Sequence, residues 1–134
     1  MPQNITRSVE DLVAEAASKI RTLSIGEARE MLGRDDVLFI DVRDVRELAG
    51  SGRIPGARHV PRGLLEFWID PKSPYHKEFL AEDKTFIFYC AVDWRSALCT
   101  RVAQDMGLAP VAHLQGGFNA WKEAGGPVEA PKAK

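Results

Sequence analysis

The sequence predicts an α/β fold built on a mostly parallel sheet. Two almost wholly apolar runs, residues 37–42 and 85–89, are typical of strands that are covered on both faces. Segments with apolar residues at helical spacing alternate with these runs, which is the order expected when helices connect parallel strands. At 134 residues the chain has the length of one compact domain.

The first part of the chain carries two helix signals. Ser8 and Asp11 have the spacing of a capping box, and the apolar positions after them predict an amphipathic helix over residues 9–20. Ser24 is a suitable cap for a second, shorter helix. We therefore interpret residues 1–23 as an N-terminal helical extension whose role the sequence does not indicate.

The rest of the chain alternates between loop, strand and helix. The glycine- and proline-rich residues 49–63 predict mostly loop, and residues 64–80 are ambiguous because two prolines interrupt a short helical pattern. The remaining predicted elements are a short strand near residues 57–60, a helix over 96–106, a strand over 111–114, a helix over 118–124 and a disordered tail over 129–134.

Composition narrows the classes of function. Apolar residues make up 45% of the chain and the formal net charge is −1, so no basic surface for nucleic acid is expected. No apolar run approaches the length of a membrane span, and the N-terminus lacks the pattern of a signal peptide, which predicts a cytoplasmic protein. Two cysteines and three scattered histidines predict neither a metal site nor a bound cofactor.

A cysteine stands where the second apolar strand ends. Cys90 is followed by a short loop, and a helix begins near Ser96. Ligands of open α/β sheets bind at the carboxyl ends of the strands. A loop of this kind can turn its backbone N–H groups inward, and the helix dipole adds positive potential at the same place. The arrangement predicts a nucleophilic thiolate inside an anion-binding shell.

Two neighbours of Cys90 strengthen the prediction of a nucleophilic thiolate. The second cysteine is not expected to be a nucleophile. Arg95 supplies a planar cation suited to an oxyanion of the substrate. Ser96 can cap the helix or donate to the thiolate. Cys99 lies within the predicted helix among apolar residues, so we expect it to pack in the core.

Three ordered motifs closely resemble those of rhodanese-homology domains. The resemblance runs from Ser24 to Val128, which we take as the domain, residues 24–128. The second motif departs from the family pattern Cys-x-x-Gly-x-Arg-Ser at Asp93. The motifs are Asp41-Val42-Arg43 with Glu47 and Gly52-Arg53-Ile54-Pro55-Gly56-Ala57, then Cys90-Ala91-Val92-Asp93-Trp94-Arg95-Ser96, then Leu114-Gln115-Gly116-Gly117-Phe118-Asn119-Ala120-Trp121.

The resemblance implies a five-stranded, mostly parallel sheet with helices on both faces, and a sulfur carried on Cys90. In such enzymes the cysteine attacks the outer sulfur of thiosulfate, sulfite departs, and the persulfide passes to cyanide or a thiol. The resemblance further implies that Arg95 stabilises the sulfonate or the loop itself. The residues implied in substrate binding, chiefly through their amides, are Ala91, Val92, Asp93, Trp94, Arg95 and Ser96.

Other residues are expected to support the site. Asp41 can accept hydrogen bonds at the mouth of the sheet, and Arg43 lies within helical reach of Glu47, which predicts an ion pair. Phe67 and Trp68 are candidates for the pocket wall, although aromatic residues at such positions are equally typical of a core.

Asp93 and Trp94 set this loop apart from its family. A carboxylate beside the anion site would disfavour the thiolate and repel thiosulfate, so we expect low thiosulfate activity and a rise in kcat/KM on Asp93→Gly. Trp94 is large where smaller or basic residues are common, and could form a lid or cover the neighbouring helix.

Three rival functions share parts of this pattern. A phosphatase or arsenate reductase on the same fold has five residues between cysteine and arginine and a histidine before the cysteine, whereas Cys90 and Arg95 are separated by four and follow Tyr89. A non-catalytic binding or sensory module would tolerate Asp93. A persulfide relay would take its sulfur from a protein partner rather than a small molecule. The sequence leaves donor, acceptor and oligomeric state open.

Overall fold

A computed structural model describes residues 2–131 of the chain. Its sheet has five strands, all paired in parallel, in the spatial order β1-β5-β4-β2-β3. The predicted five-stranded parallel sheet is confirmed. The strands are β1 (Arg21–Leu23), β2 (Val37–Asp41), β3 (Arg58–His59), β4 (Thr85–Tyr89) and β5 (Val111–Leu114).

The described residues form six α-helices and two 3-10 turns, of which the first helix precedes β1 and the last follows β5 while the others connect strands. The predicted ambiguity of residues 64–80 resolves into one short helix and flanking 3-10 turns, because prolines 71 and 74 end the helical pattern. The helices are α1 (Val9–Ala17), α2 (Ile25–Met31), α3 (Val45–Ser51), α4 (Leu65–Ile69), α5 (Trp94–Asp105) and α6 (Gly117–Glu123), and the 3-10 turns are Arg62–Leu64 and Glu78–Ala81.

Helix α3 occupies part of the segment that we predicted as loop, and that prediction is wrong for residues 49–51. The helix begins with a capping box: the Asp44 carboxylate accepts from the Arg46 amide, and the Glu47 carboxylate accepts from the Asp44 amide, each at 2.8 Å. The glycines that suggested a loop end the helix, since Gly52 follows it with a φ of 80°. The predicted cap of α1 at Ser8 and Asp11 is present.

Both ends of the chain depart from their predicted states. Helix α1 ends at Ala17, and residues 21–23 form edge strand β1 beside β5, so the extension predicted as helical over 1–23 joins the sheet. Glu129, predicted as part of a disordered tail over 129–134, exchanges two backbone hydrogen bonds with Arg53 at 2.7 and 3.0 Å. Residues 132–134 lie outside the described part of the chain.

The core lies on both faces of the sheet. Side chains of successive strand residues alternate between two apolar clusters, so Phe88 and Cys90 share one face while Tyr89 lies on the other. The face of Cys90 packs against helices α4 and α5, and the opposite face packs against α2 and α6. The buried strand β4 therefore delivers Cys90 to the carboxyl edge of the sheet.

The segments after β2 and β4 lie side by side at this edge. The two strands pair in register up to Asp41 and Tyr89, and the Val42 amide donates to the Tyr89 carbonyl at 3.0 Å. Residues 42–44 and the loop that begins at Cys90 therefore face each other across a short gap. Among residues 2–131, no helix is long and apolar enough to cross a membrane.

Candidate active site

Cys90 lies directly after β4, with its sulfur beneath the loop that leads into α5. The residue is only 1% exposed, but its sulfur is not surrounded by hydrocarbon alone. The Ser96 amide donates to Sγ at 3.4 Å, and the Ser96 hydroxyl oxygen lies 3.6 Å from the same atom. One residue thus brings two polar groups to the sulfur, as expected of a helix that begins against an anion.

The amides between Cys90 and Ser96 form the anion-binding part of the loop. Within residues 2–131, none of the five backbone N–H groups from Ala91 to Arg95 has a protein acceptor. Helix α5 begins at Trp94 without a side-chain cap, so its first two amides, those of Trp94 and Arg95, have no acceptor in the described residues, while the third donates to Cys90 Sγ. Free amides at the start of a 12-residue helix favour a negatively charged ligand.

The N-terminal end of α6 supports this loop from behind. The Phe118 amide donates to the Cys90 carbonyl at 2.8 Å, and the Asn119 amide donates to the Ala91 carbonyl at 3.0 Å. Gly117 permits this approach, because a Cβ atom there would clash with the Val92 carbonyl oxygen. Gly117 is therefore required for the close packing of α6 against the Cys90 loop.

Asp93 holds the loop rather than the substrate. Its carboxylate accepts from the Gly116 amide at 2.6 Å, and its φ of −127° is not left-handed, so no glycine is required there. Because the carboxylate is bound to the Gly116 amide, this geometry argues against the sequence-based expectation that it repels thiosulfate, and kinetics is the test of that expectation. Asp93, which departs from the family pattern, therefore has a structural role through its bond to the Gly116 amide.

We therefore expect Asp93→Gly and Asp93→Ala to lower kcat/KM toward thiosulfate rather than raise it. Each change leaves the Gly116 amide without its acceptor, which should cost about 1–2 kcal/mol of unfolding free energy and loosen the loop. Urea denaturation and initial rates measure both effects, and Asp93→Asn, which keeps an acceptor oxygen, is the matched control. Higher activity in the glycine variant would restore the repulsion hypothesis.

Arg95 and Glu47 form an ion pair across the two loops. The guanidinium donates to both carboxylate oxygens at 2.7 and 2.9 Å, and each side chain is about one-third exposed (35% and 34%). This bond to Arg95 holds the pKa of Glu47 below its ordinary value. The predicted partner of Glu47 was Arg43, and that prediction is wrong, because α3 carries Glu47 toward the start of α5.

Arg43 is instead buried against Asp41. Its guanidinium donates to the Asp41 carboxylate at 2.7 Å and to the Gly52 carbonyl at 2.6 Å, with 2% of Arg43 and none of Asp41 exposed. The same group lies 4.3 Å from the centre of the Phe118 ring. Asp41 and Arg43 thus tie β2 to the end of α3 and to α6, as a scaffold pair would.

A cleft of about 520 Å³ opens beside the Cys90 loop. Arg95 contributes to its wall, and Phe67, 52% exposed, lies where we predicted a pocket wall. Trp68 does not line the cleft. It packs against the core cluster, with the Lys77 ammonium 5.1 Å from the centre of its ring. The cleft is lined by Val42, Arg43, Asp44, Pro61, Arg62, Gly63, Glu66, Phe67 and Arg95.

Sequence reasoning missed two residues near the site. Arg62 lies on the cleft wall, and no carboxylate pairs with it among residues 2–131. His113, buried on β5, has its Nδ1 atom 3.1 Å from the Ser96 hydroxyl oxygen. The sequence signal that could have identified His113 is a histidine within the apolar run of β5. Nothing in the sequence distinguished Arg62 from other loop arginines.

The remaining candidates lie away from the cleft. Cys99 is buried in the core as predicted, and burial raises the pKa of its thiol to about 12. Trp94, 46% exposed, lines a separate cavity together with residues of α1 and is not among the residues that line the cleft. The side chain of Val92 is half exposed. In the described part of the chain, no three His, Cys, Asp or Glu side chains gather as a metal site would require.

Residues 24–124 match the model of the rhodanese-like domain. The chain belongs to this family. The fold, the Cys90 loop and the cleft described above are thus those of a rhodanese-like domain, and sulfurtransferases are among its relatives. A sulfurtransferase of Allochromatium vinosum is 29% identical over 105 residues, which cover 78% of this chain and 90% of that protein. The human thiosulfate:glutathione sulfurtransferase is 28% identical over 108 residues, covering 76% and 93%.

Phosphatase names also occur among the similar rhodanese-like proteins. A solved structure from Rhodopseudomonas palustris, described as a protein of unknown function and possible tyrosine phosphatase, is 53% identical with a TM-score of 0.92, and the match covers 96% of this chain and 99% of that one. The Arabidopsis thaliana protein named dual specificity phosphatase Cdc25 is 30% identical over 104 residues, covering 71% and 68%. The fold therefore does not distinguish sulfur transfer from phosphoryl transfer, and the distinction has to come from the geometry of the site.

Proposed function

We propose that this rhodanese-like domain is a sulfurtransferase that carries a sulfane sulfur as a persulfide on Cys90. It takes the sulfur from thiosulfate or a similar donor and passes it to cyanide or a thiol. One observation carries the proposal: the Ser96 amide donates a hydrogen bond to Cys90 Sγ, and the five preceding amides of the loop have no acceptor among residues 2–131.

The reaction consists of two displacements at sulfur. The Cys90 thiolate attacks the outer sulfur of thiosulfate, the S–S bond of the donor breaks, and its electron pair leaves with sulfite. An acceptor thiolate or cyanide then attacks the outer sulfur of the persulfide, and the electron pair of that bond returns to Cys90. The enzyme alternates between two covalent states, which predicts ping-pong kinetics.

The free amides suit the persulfide because its negative charge lies on the outer sulfur, one bond beyond Sγ. The Ser96 amide already binds Sγ, so the outer atom would lie deeper within the ring of amides from Ala91 to Arg95. The sulfonate of the donor carries the rest of the charge toward the cleft, where Arg95 and Arg62 lie. Of the three cations that line the cleft, Arg43 is paired with Asp41 and Arg95 with Glu47, which leaves Arg62 without a carboxylate partner in the described residues.

We expect Arg62→Gln to raise KM for thiosulfate about threefold and to leave kcat nearly unchanged. A solvent-accessible cation contributes modestly to binding an anion, and Arg62 does not touch the reacting sulfur. Initial-rate kinetics at low and high salt measure the effect, which should shrink as salt rises. Arg29→Gln, on α2 at the opposite face of the sheet, is the control. Equal KM values in the two variants would remove Arg62 from the binding site.

Cysteine-dependent phosphoryl transfer is the competing chemistry, and the loop length argues against it. Four residues separate Cys90 from Arg95, one fewer than in the phosphatase pattern, and a shorter ring of amides fits a sulfur atom better than a tetrahedral phosphate. Two further functions compete with the proposal: a non-catalytic module, and a relay that accepts sulfur from a protein persulfide. All of these functions differ in what becomes covalently bound to Cys90.

Intact mass spectrometry tests the proposal directly. The reduced protein is incubated with thiosulfate, desalted and weighed, and its mass should rise by one sulfur atom. Cyanide should then return the mass to its starting value and release thiocyanate. A parallel sample with a phosphotyrosine-like aryl phosphate should show neither hydrolysis nor a phosphorylated protein.

A panel of donors separates the remaining functions. A mass gain from thiosulfate or 3-mercaptopyruvate identifies a small-molecule sulfurtransferase, and a gain only from a persulfidated protein identifies a relay. Absence of any gain with every donor would overturn the proposal and leave a binding module. Aryl phosphate hydrolysis without a sulfur adduct would establish the phosphatase instead.

A further inference from the structure

The Ser96 hydroxyl stands between the sulfur of Cys90 and the imidazole of His113. Its oxygen lies 3.6 Å from Cys90 Sγ, within reach of a bond to the large sulfur atom, and 3.1 Å from His113 Nδ1. Cys90, Ser96 and His113 are all at most 4% exposed. Three groups that can exchange protons therefore form a continuous chain inside the protein.

The direction of these hydrogen bonds depends on which group holds the proton. The Ser96 hydroxyl has one hydrogen and three neighbours that can accept it: Cys90 Sγ, His113 Nδ1 and the Asp93 carbonyl at 3.2 Å. The Asp93 carbonyl already accepts from the Ala97 amide at 3.0 Å. If His113 carries its proton on Nδ1, it donates to Ser96, and the hydroxyl is free to donate to an anionic sulfur.

The other imidazole nitrogen faces a second cavity. A space of about 340 Å³ lies on the α1 side of α5, shares none of its lining residues with the substrate cleft, and includes His113 in its wall. Every solvent-inaccessible side-chain nitrogen or oxygen in the described residues has a hydrogen-bond partner, and Nε2 has none within them. Nε2 is therefore accessible from this cavity.

We propose that His113 is a positioning residue for Cys90 that relays the thiol proton through Ser96 to the second cavity. The inference rests on the proposed function, because it supplies the route by which Cys90 becomes a thiolate before it attacks the donor. Because the second cavity lies on the other side of α5, the proton does not pass through the substrate cleft.

The proton balance is closed along this chain. The Cys90 thiol passes its proton to the Ser96 oxygen while the Ser96 hydroxyl proton passes to His113 Nδ1, which forms an imidazolium. The imidazolium then releases its Nε2 proton to water in the cavity. One proton has left the protein, the sulfur carries the negative charge, and His113 is neutral again with its hydrogen directed toward Ser96.

The surroundings of His113 keep it ready to accept. Burial lowers the pKa of His113, so the imidazole is neutral at neutral pH, and the opposing influence of the Asp93 carboxylate is smaller. Its neighbours across the sheet, Thr22 on β1 and Phe88 on β4, carry no charge. In the described wall of the cavity, Asp93 is the one charged side chain; the other lining residues are Val13, Ala17, Thr22, Trp94, Ala97 and Gln115.

The test is a pH titration of the Cys90 thiolate in Cys99→Ser protein, which contains a single thiol. The ultraviolet absorbance of the thiolate is followed with pH, and the rate of sulfur uptake from thiosulfate is measured over the same range. We expect His113→Leu, which removes the Nδ1 hydrogen that frees the Ser96 hydroxyl to donate to the anionic sulfur, to move both midpoints up by about one pH unit. Uptake below the midpoints should fall about tenfold, with equal rates well above them.

A merely structural role for His113 predicts a different result, namely a uniform loss of rate at every pH with an unmoved thiolate midpoint, which would overturn the relay. The absorbance titration needs no sulfur donor, so it distinguishes failure of the relay from failure of the proposed function. A second measurement needs no change at position 113. The NMR signals of the His113 ring should show a step at the pH where the thiolate forms, and the step should vanish in Cys90→Ala. Identical titrations of the two proteins would also overturn the relay.

Discussion

Replacing Cys90 with serine is expected to abolish sulfur uptake from thiosulfate, with a loss of at least about a thousandfold in the rate of sulfur transfer. The change is nearly isosteric, so the loop and its bonds to α6 should remain in place. A serine hydroxyl stays protonated at neutral pH and forms no stable bond to sulfane sulfur. Intact mass after thiosulfate treatment should therefore show no added sulfur, and steady-state production of thiocyanate should fall to background.

Cys99→Ser is the matched control for this experiment. Cys99 is 2% exposed within the core, and burial raises the pKa of its thiol to about 12, so it contributes no thiolate at neutral pH. The control should gain one sulfur atom as the unmodified protein does. A sulfur that remains in Cys90→Ser and disappears in Cys99→Ser would show that the wrong cysteine has been assigned.

Replacing Arg43 with methionine is expected to produce the largest loss of stability, about 3–5 kcal/mol in the free energy of unfolding. The change leaves the fully buried Asp41 carboxylate without its cation and removes the hydrogen bond to the Gly52 carbonyl. It also removes the guanidinium that packs on Phe118. Equilibrium denaturation in urea measures the loss as a lower midpoint.

Two further variants show whether the loss comes from the unpaired charge. The double variant Asp41→Leu/Arg43→Met removes both charges and should recover part of the stability, since an apolar pair leaves no buried carboxylate. Arg34→Met breaks a pair with Asp36 on the open surface and should leave the urea midpoint unchanged. A loss below about 1 kcal/mol in Arg43→Met would mean that water or a neighbouring group compensates Asp41.

The Asp41–Arg43 pair also connects stability to the site. Arg43 donates to the Ser51 hydroxyl and the Gly52 carbonyl, at the end of the helix on which Glu47 holds Arg95. Loosening α3 would therefore disturb the ion pair that braces the start of α5. We expect Arg43→Met to reduce sulfur transfer even at temperatures where most of the protein remains folded.

Elements with continuous apolar runs were predictable because burial on both faces leaves a local pattern. Strands β4 and β5 begin and end where the sequence predicts them, and α5 differs at its start by two residues. Helix α3 was missed although Asp44 and Glu47 have capping-box spacing, because the glycines that end it were interpreted as loop. Strand β1 has three residues and depends on pairing with β5, so no local sequence pattern predicted it.

The sequence by itself determined the family, the α/β architecture and the place of Cys90 at the end of a buried strand, since these follow from periodicity and from ordered motifs within short segments. The tertiary structure alone decided the partners: Glu47 for Arg95, Asp41 for Arg43, Gly116 for Asp93 and His113 for Ser96. Several of these pairs are 17 to 48 residues apart in the chain. A chain with many charged groups offers many local pairings, and only the packing of strands and helices brings one of them within bonding distance.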